Sequence, residues 1–249
     1  MANVIKLRKG LDIHLTGKAK NVQVTPLKSK QYAVVPDSFG GVIPKVLVRE
    51  GDRVKAGDAL FVNKKYPEEK FASPVSGEIT AVVRGDRRKV LAITIQADET
   101  QDYVDFGRRD VETLTGEEVR NALLEAGLFG FIQQLPYAVA TTPDTLPRDI
   151  FVSAFRDMPL AADFEVELQG NEAAFQAGLT ALSKMQTTHL SVHKRQTATA
   201  LLQAKQVELH VIEGKCPAGN VGIQINHIAP VNKGEVVWIV DPAVVIMIG

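Results

Sequence analysis

The sequence predicts two modules of different fold class, an all-β barrel or sandwich over residues 31–100 and an α/β module over residues 101–249. A basic N-terminal segment with short strands, residues 1–30, precedes them. Three observations predict this. Short apolar runs separated by glycine-bearing turn pairs fill residues 30–97. Six acidic side chains from Asp98 to Glu112 then mark a linker. Beyond residue 148, strand-like and helix-like patterns alternate, which implies a parallel sheet with right-handed crossovers.

The first segment holds seven basic side chains (Lys6, Arg8, Lys9, Lys18, Lys20, Lys28 and Lys30) against Asp12 alone. In the β module, runs at 32–35, 46–48, 59–62, 79–83 and 90–95 are punctuated by Gly40-Gly41, Gly51-Asp52, Gly57-Asp58, Ser76-Gly77 and Gly85-Asp86. Such spacing reads as strands joined by tight turns. A weak repeat matches Gly41 to Gly77 and Val46-Leu47 to Val82-Val83, which predicts two similar halves around a pseudo-dyad. After the linker, Thr115 and Glu118 form a capping-box pair ahead of the stripe Val119, Ala122, Leu123 and Ala126, with Gly127 as the stop. Residues 150–155 read as a buried strand. Asn171 is expected to cap a helix carrying Phe175, Leu179, Leu182 and Met185 on one face. A strand core at 190–192, a short helix at 197–204 and a strand at 207–212 follow.

Composition limits the function classes. Of 249 residues 45% are hydrophobic and 23% charged, with 29 basic against 29 acidic side chains, so no overall basic field points to nucleic acid. Cys216 is the sole cysteine, which excludes an intrachain disulfide and a cluster needing four thiolates. No run approaches the roughly 18 apolar residues of a spanning helix. Membrane contact is therefore expected through a partner. The apolar end at 244–249 suggests a chain that runs on in nature.

Catalytic motifs are missing. No glycine-rich dinucleotide or P-loop pattern occurs, and no nucleophile elbow. The GNVG segment at 219–222 is too short to carry a phosphate argument. His189 and His193 have helical metal spacing but sit on a strand pattern, about 13 Å apart at roughly 3.3 Å per residue. His14, His210 and His227 form no local cluster, so no metal site is predicted. The basic run 84–89 reads as a solvated hairpin turn, with a docking patch as the alternative.

Segment 48–60, VREGDRVKAGDAL, and segment 71–79, FASPVSGEI, resemble the lipoyl/biotinyl barrel-sandwich hybrid. The carrier lysine of those domains sits in a tight hairpin with D-K-A or M-K-M flanks. Here the hairpin NKKYPEEK at 63–70 has neither flank, so neither Lys64 nor Lys65 is expected to carry a modification. A free-standing biotin or lipoyl carrier is the corresponding weaker reading.

KGLDIHLTG at 9–17 resembles the opening of the A-type component in the sodium-translocating NADH:quinone oxidoreductase family. Similar family segments recur at 61–67 (FVNKKYP), 84–85, 158–162 (MPLAA), 217–219 and 230–231, so the likeness covers essentially the whole chain. It implies a barrel-sandwich hybrid followed by a degenerate Rossmann-like module, in a peripheral subunit on the cytoplasmic face of the bacterial inner membrane. It also implies a pump that uses NADH, flavins, iron–sulfur centres and quinone, with this chain holding none of the cofactors itself. Partners would be the other subunits, above all the integral-membrane quinone and flavin subunit. Flavin-binding relatives carry a loop like G-x-G-G-A-G-F-P. This chain has GLFGFIQQLPY at 127–137, where Phe131, Ile132, Gln133 and Gln134 replace the glycines that let backbone N–H groups reach a phosphate.

In the resembled family this segment and VPDSFGGV at 35–42 approach quinone. That makes Phe39, Gly41, Val42, Phe131, Ile132, Pro136 and Tyr137 the expected quinone-proximal residues, with no catalytic residue. The bland alternative is that these aromatics pack between modules in a purely structural protein of the assembly. Likeness to the C component of the Rnf complex is a further alternative. Both readings require 35–42 and 129–137 to lie together.

Overall fold

The computed structural model describes residues 3–17, 22 and 29–249; Lys18, Lys20 and Lys28 of the basic segment lie outside them. Strand β1 (Asn3–Lys6) pairs in parallel with residues 210–213 of the second module, not with the adjacent barrel. The Leu7 N–H then donates to the Glu213 carbonyl at 2.8 Å. The N-terminal segment thus begins on the α/β sheet before the chain enters the β module.

The barrel comprises β2 (Gln31–Val34), β3 (Pro44–Val46), β4 (Arg53–Val54), β5 (Ala59–Asn63), β6 (Lys70–Ala72), β7 (Gly77–Arg84) and β8 (Val90–Ala97). They form two antiparallel sheets, ordered β2-β8-β7-β4 and β3-β5-β6. Leu60, Phe61, Phe71, Ile79, Ile93 and Ile95 are buried in the core between them. The two Gly-Asp turns are built alike. Asp52 accepts from the Arg49 N–H at 2.9 Å and Asp58 from the Lys55 N–H at 2.7 Å, a side-chain mimic of a backbone turn bond. The offset repeat is not matched at its glycines. Gly41 is exposed with φ +83°, whereas Gly77 is buried, and a Cβ there would stand 2.0 Å from the Gln96 carbonyl oxygen. The basic run 84–89 forms the turn between β7 and β8, with Arg87 and Arg88 both at positive φ.

The α/β module contains α1 (Gly116–Ala126), β9 (Gln133–Leu135), β10 (Val139–Ala140), β11 (Ile150–Ser153), α2 (Phe164–Leu168), α3 (Glu172–Met185), β12 (Thr188–His193), α4 (Thr199–Leu202), β13 (Glu208–Glu213), α5 (Val221–Ile228), β14 (Val237–Val240) and α6 (Pro242–Ile248). Helix α1 has the full capping box, and Gly127 closes it in the left-handed region. The sheet order is β1-β13-β12-β11-β14-β9-β10, parallel except at β9 and β10. Period two sorts its side chains. Ile150, Val152, Trp238 and Val240 join α1, α3 and α6 in one core, while Phe151 and Val237 face α5.

Two expectations are corrected in detail. The strand expected over 150–155 ends at Ser153. Asn171 precedes α3 but makes no side-chain cap; its amide donates to the Glu167 carbonyl at 2.9 Å instead. The hairpin β9–β10, helix α5, strand β14 and helix α6 are additions to the predicted elements.

The junction aromatics and a crevice closed by its own side chains

The barrel and the α/β module meet where β6 presses on the end of α1. Two glycines permit the approach. A Cβ at Gly127 would lie 2.8 Å from Ala72 Cβ, and one at Gly130 would lie 2.3 Å from Phe71 Cε1. The 39-loop of the barrel closes the other side, where the Ala140 N–H donates to the Gly40 carbonyl at 2.9 Å. Phe39 then sits at the centre of an aromatic cluster. Its ring centroid lies 4.6 Å from Phe71 and 5.2 Å from Phe131, both edge-on, while Phe61 and Phe71 stack at 4.5 Å. Edge-to-face pairs of this kind add about 0.5–1.5 kcal/mol each beyond their burial. A cleft of about 210 Å³ opens beside the cluster, lined by Val34, Val35, Ser38, Phe39, Pro74 and Phe131 among others.

The segments 35–42 and 129–137 are therefore neighbours, and the expected residues separate into groups. Phe39 and Phe131 line the cleft, Gly41 packs its backbone against Val139, and Val42 packs on the barrel core. Ile132 does not face the cleft. It is fully buried in the α/β core with Phe129 and Trp238. Pro136 and Tyr137 occupy the β9–β10 tip, with Tyr137 80% exposed, and neither lines the cleft.

A second cavity, about 420 Å³, lies at the carboxyl ends of β11 and β14. Chain order there reverses, since β12 and β13 lie to one side of β11 and β14 to the other. Open α/β sheets bind ligands at such switch points, with phosphate on helix N-termini. Here the positions are taken by the chain itself. Asp241 accepts from the Ala243 N–H at 2.9 Å, Asn220 from Gly222 at 2.9 Å, and Asp157 from Gly219 at 2.6 Å. Arg156 crosses the opening to Glu167 at 2.6 Å and Asp241 at 3.2 Å. A phosphate would meet carboxylates rather than free N–H groups. Sequence reasoning missed Arg156, Asp157 and Asp241. Their one signal was position, directly after the apolar strand runs.

The histidines also rearrange. His193 packs on Phe155 at 4.5 Å, while His189 meets His210 across the sheet, Nδ1 to Nε2 at 3.0 Å.

Lys64 and Lys65 are exposed in the loop between β5 and β6. The loop is closed beneath them by Glu69, which is buried and accepts from Asn63 Nδ2 at 2.8 Å. Burial, opposed by the Asn63 hydrogen bond and assisted by nearby Glu68, pushes the Glu69 carboxyl up to about 7. The folded chain therefore holds a proton that the unfolded chain releases near pH 4.5. Stability from this group is full below that pH and is lost as pH rises to about 7. The expected loss is about 1–3 kcal/mol. Glu69→Gln should match the parent in urea melts at about pH 5 and exceed it at about pH 8. A difference independent of pH would exclude this account.

The two folds define a class: a barrel-sandwich hybrid joined to an α/β domain built on a mostly parallel sheet. Residues 5–98 match the model of the NqrA N-terminal barrel-sandwich hybrid domain, and residues 114–249 that of the NqrA second alpha/beta domain. The chain belongs to the NqrA family. It is 35% identical over 250 residues to the NqrA protein of the Na(+)-translocating NADH-quinone reductase of Yersinia pseudotuberculosis serotype O:1b, covering 99% of this chain and 56% of that one. The same identity and coverage hold for the corresponding protein of Neisseria meningitidis serogroup A. That of Cellvibrio japonicus is 32% identical over 249 residues, covering 99% of this chain and 56% of that one. The chain spans about half the length of the curated relatives it matches.

Proposed function

We propose that this chain serves as a peripheral subunit of a sodium-pumping NADH:quinone oxidoreductase, on the cytoplasmic face of a bacterial inner membrane. It holds no flavin or iron–sulfur centre and is inactive alone; partner subunits supply those cofactors and the membrane path. The names of the relatives support the assembly. Among the described residues no helix is long and apolar enough to cross a membrane, which agrees with attachment through partners.

Its contribution to quinone chemistry is one apolar wall. The observation carrying this is the edge-on pair of Phe39 and Phe131, one from each module, beside an open cleft. At about 210 Å³ the cleft is smaller than the roughly 300–1,000 Å³ of a complete ligand pocket. It suits one side of a planar ring, with the remaining walls and polar groups coming from the integral-membrane partner. Crosslinking the assembled pump with a photoreactive quinone and mapping the peptides tests this. Label is expected in peptides holding 35–42 or 129–137. Label confined to the membrane partner would assign this chain to assembly alone.

A further inference from the structure

Strands β12 and β13 run parallel with His189 opposite Glu208. Because strand side chains alternate, His210 shares a face with Glu208, two residues along. His189 Nδ1 lies 3.0 Å from His210 Nε2 and 3.3 Å from Glu208 Oε2. The three donor atoms all fall within 4.8 Å of one another. Zinc bonds to His and carboxylate are about 2.0–2.2 Å, so tetrahedral ligands stand roughly 3.3 Å apart. The two separations from His189 Nδ1 fit one shared cation, and the exposed Glu208 side chain is free to close the third.

We propose that His189, His210 and Glu208 form a binding site for a divalent transition metal of the zinc class. Two imidazoles and one carboxylate suit that class rather than calcium or magnesium, which favour all-oxygen sites.

The surroundings are those of a built site. The His189 ring is fixed by stacking on Phe151, 4.6 Å between centroids and 15° between planes. Its other nitrogen, Nε2, is buried without a hydrogen-bond partner and lies 3.7 Å from Asp149 Oδ1. Asp149 is in turn held by Arg148 Nε at 2.7 Å. A carboxylate behind a ligating histidine sets its tautomer, and Asp149 stands where closing from 3.7 Å onto Nε2 would leave Nδ1 to the metal. Without a cation, a single proton between His189 Nδ1 and His210 Nε2 serves that pair, and the exposed Glu208 carboxylate turns to solvent. A cation at the centre uses all three lone pairs. The Glu208 side chain is 63% exposed, which gives an entry route and room for a water as fourth ligand. The site lies toward the amino ends of β12 and β13, away from the crevice at the carboxyl ends. Its consequence is a clamp between two strands rather than chemistry at the crevice.

Titration of the full 249-residue chain, untagged, with Zn²⁺ against a chromophoric chelator tests this. One equivalent should bind and raise the melting temperature, and Co²⁺ in its place should give the visible absorption of a low-coordinate nitrogen and oxygen site. Asp149→Asn should weaken Zn²⁺ about ten- to a hundredfold, the usual loss for a group behind a ligand. Glu208→Ala should weaken it at least as much. Glu208 sits at the exposed rim, so that variant should melt like the parent in the absence of metal. Lack of saturable binding overturns the proposal, as does binding that survives Glu208→Ala undiminished.

Discussion

Phe71→Ala is expected to destabilise the chain by about 3–5 kcal/mol, the usual loss for a buried aromatic. Phe71 is fully buried, stacks on Phe61 and meets Phe39 edge-on, so its removal opens the barrel core and the module junction together. Gly130→Ala should also destabilise, by about 1–3 kcal/mol, through overpacking. Its new Cβ would stand 2.3 Å from Phe71 Cε1, and φ at Gly130 is not positive, so crowding rather than backbone strain is the cause. The two changes should not add. With the ring gone, the methyl enters the space it left, and the pair should show a coupling energy of about 1–3 kcal/mol in urea melts. Strict additivity would mean that the ring does not press on Gly130.

That contact explains what the sequence could and could not reveal. Local signals were legible. The Thr115–Glu118 box and Gly127 framed α1 because capping is chemistry between near neighbours. The barrel turns at Asp52 and Asp58 were legible for the same reason. The carboxamide of Asn171 leaves the α3 cap because a second partner is within reach, the Glu167 carbonyl, made available where α2 ends. Residues 236–240 and 243–248 were visibly apolar, yet runs that short do not choose between strand and helix. Only the neighbours decide: β11 on one side of β14, and α3 against α6. The histidine cluster shows the limit most clearly. The i, i+4 spacing points His189 at His193, whereas its partner is His210 on the adjacent strand. Register between strands fixes that meeting, and no local pattern encodes it.

The Phe131 and Ile132 pair should divide stability from quinone chemistry, because adjacent side chains point to opposite environments. Phe131 is 38% exposed and lines the cleft with Phe39, whereas Ile132 is fully buried in the α/β core. Ile132→Ala should cost about 2–5 kcal/mol and leave the quinone KM of the surviving folded pump unchanged. Phe131→Ala loses one edge-to-face pair, about 0.5–1.5 kcal/mol, on top of the partial burial of a ring that is 38% exposed. If its ring forms a quinone wall in the assembled pump, the same order of energy appears in the substrate complex, as about a two- to tenfold rise in quinone KM. Tyr137, 80% exposed at the hairpin tip, serves as the reference. Its alanine variant should shift stability by no more than about 0.5 kcal/mol. It should raise KM only if the tip folds over the cleft once the membrane partner is bound. The assembled pump carrying each variant, assayed for quinone reduction and for melting, separates the cases. A Phe131→Ala pump that melts earlier but keeps its parent KM would place the cluster in packing and leave quinone to the membrane partner.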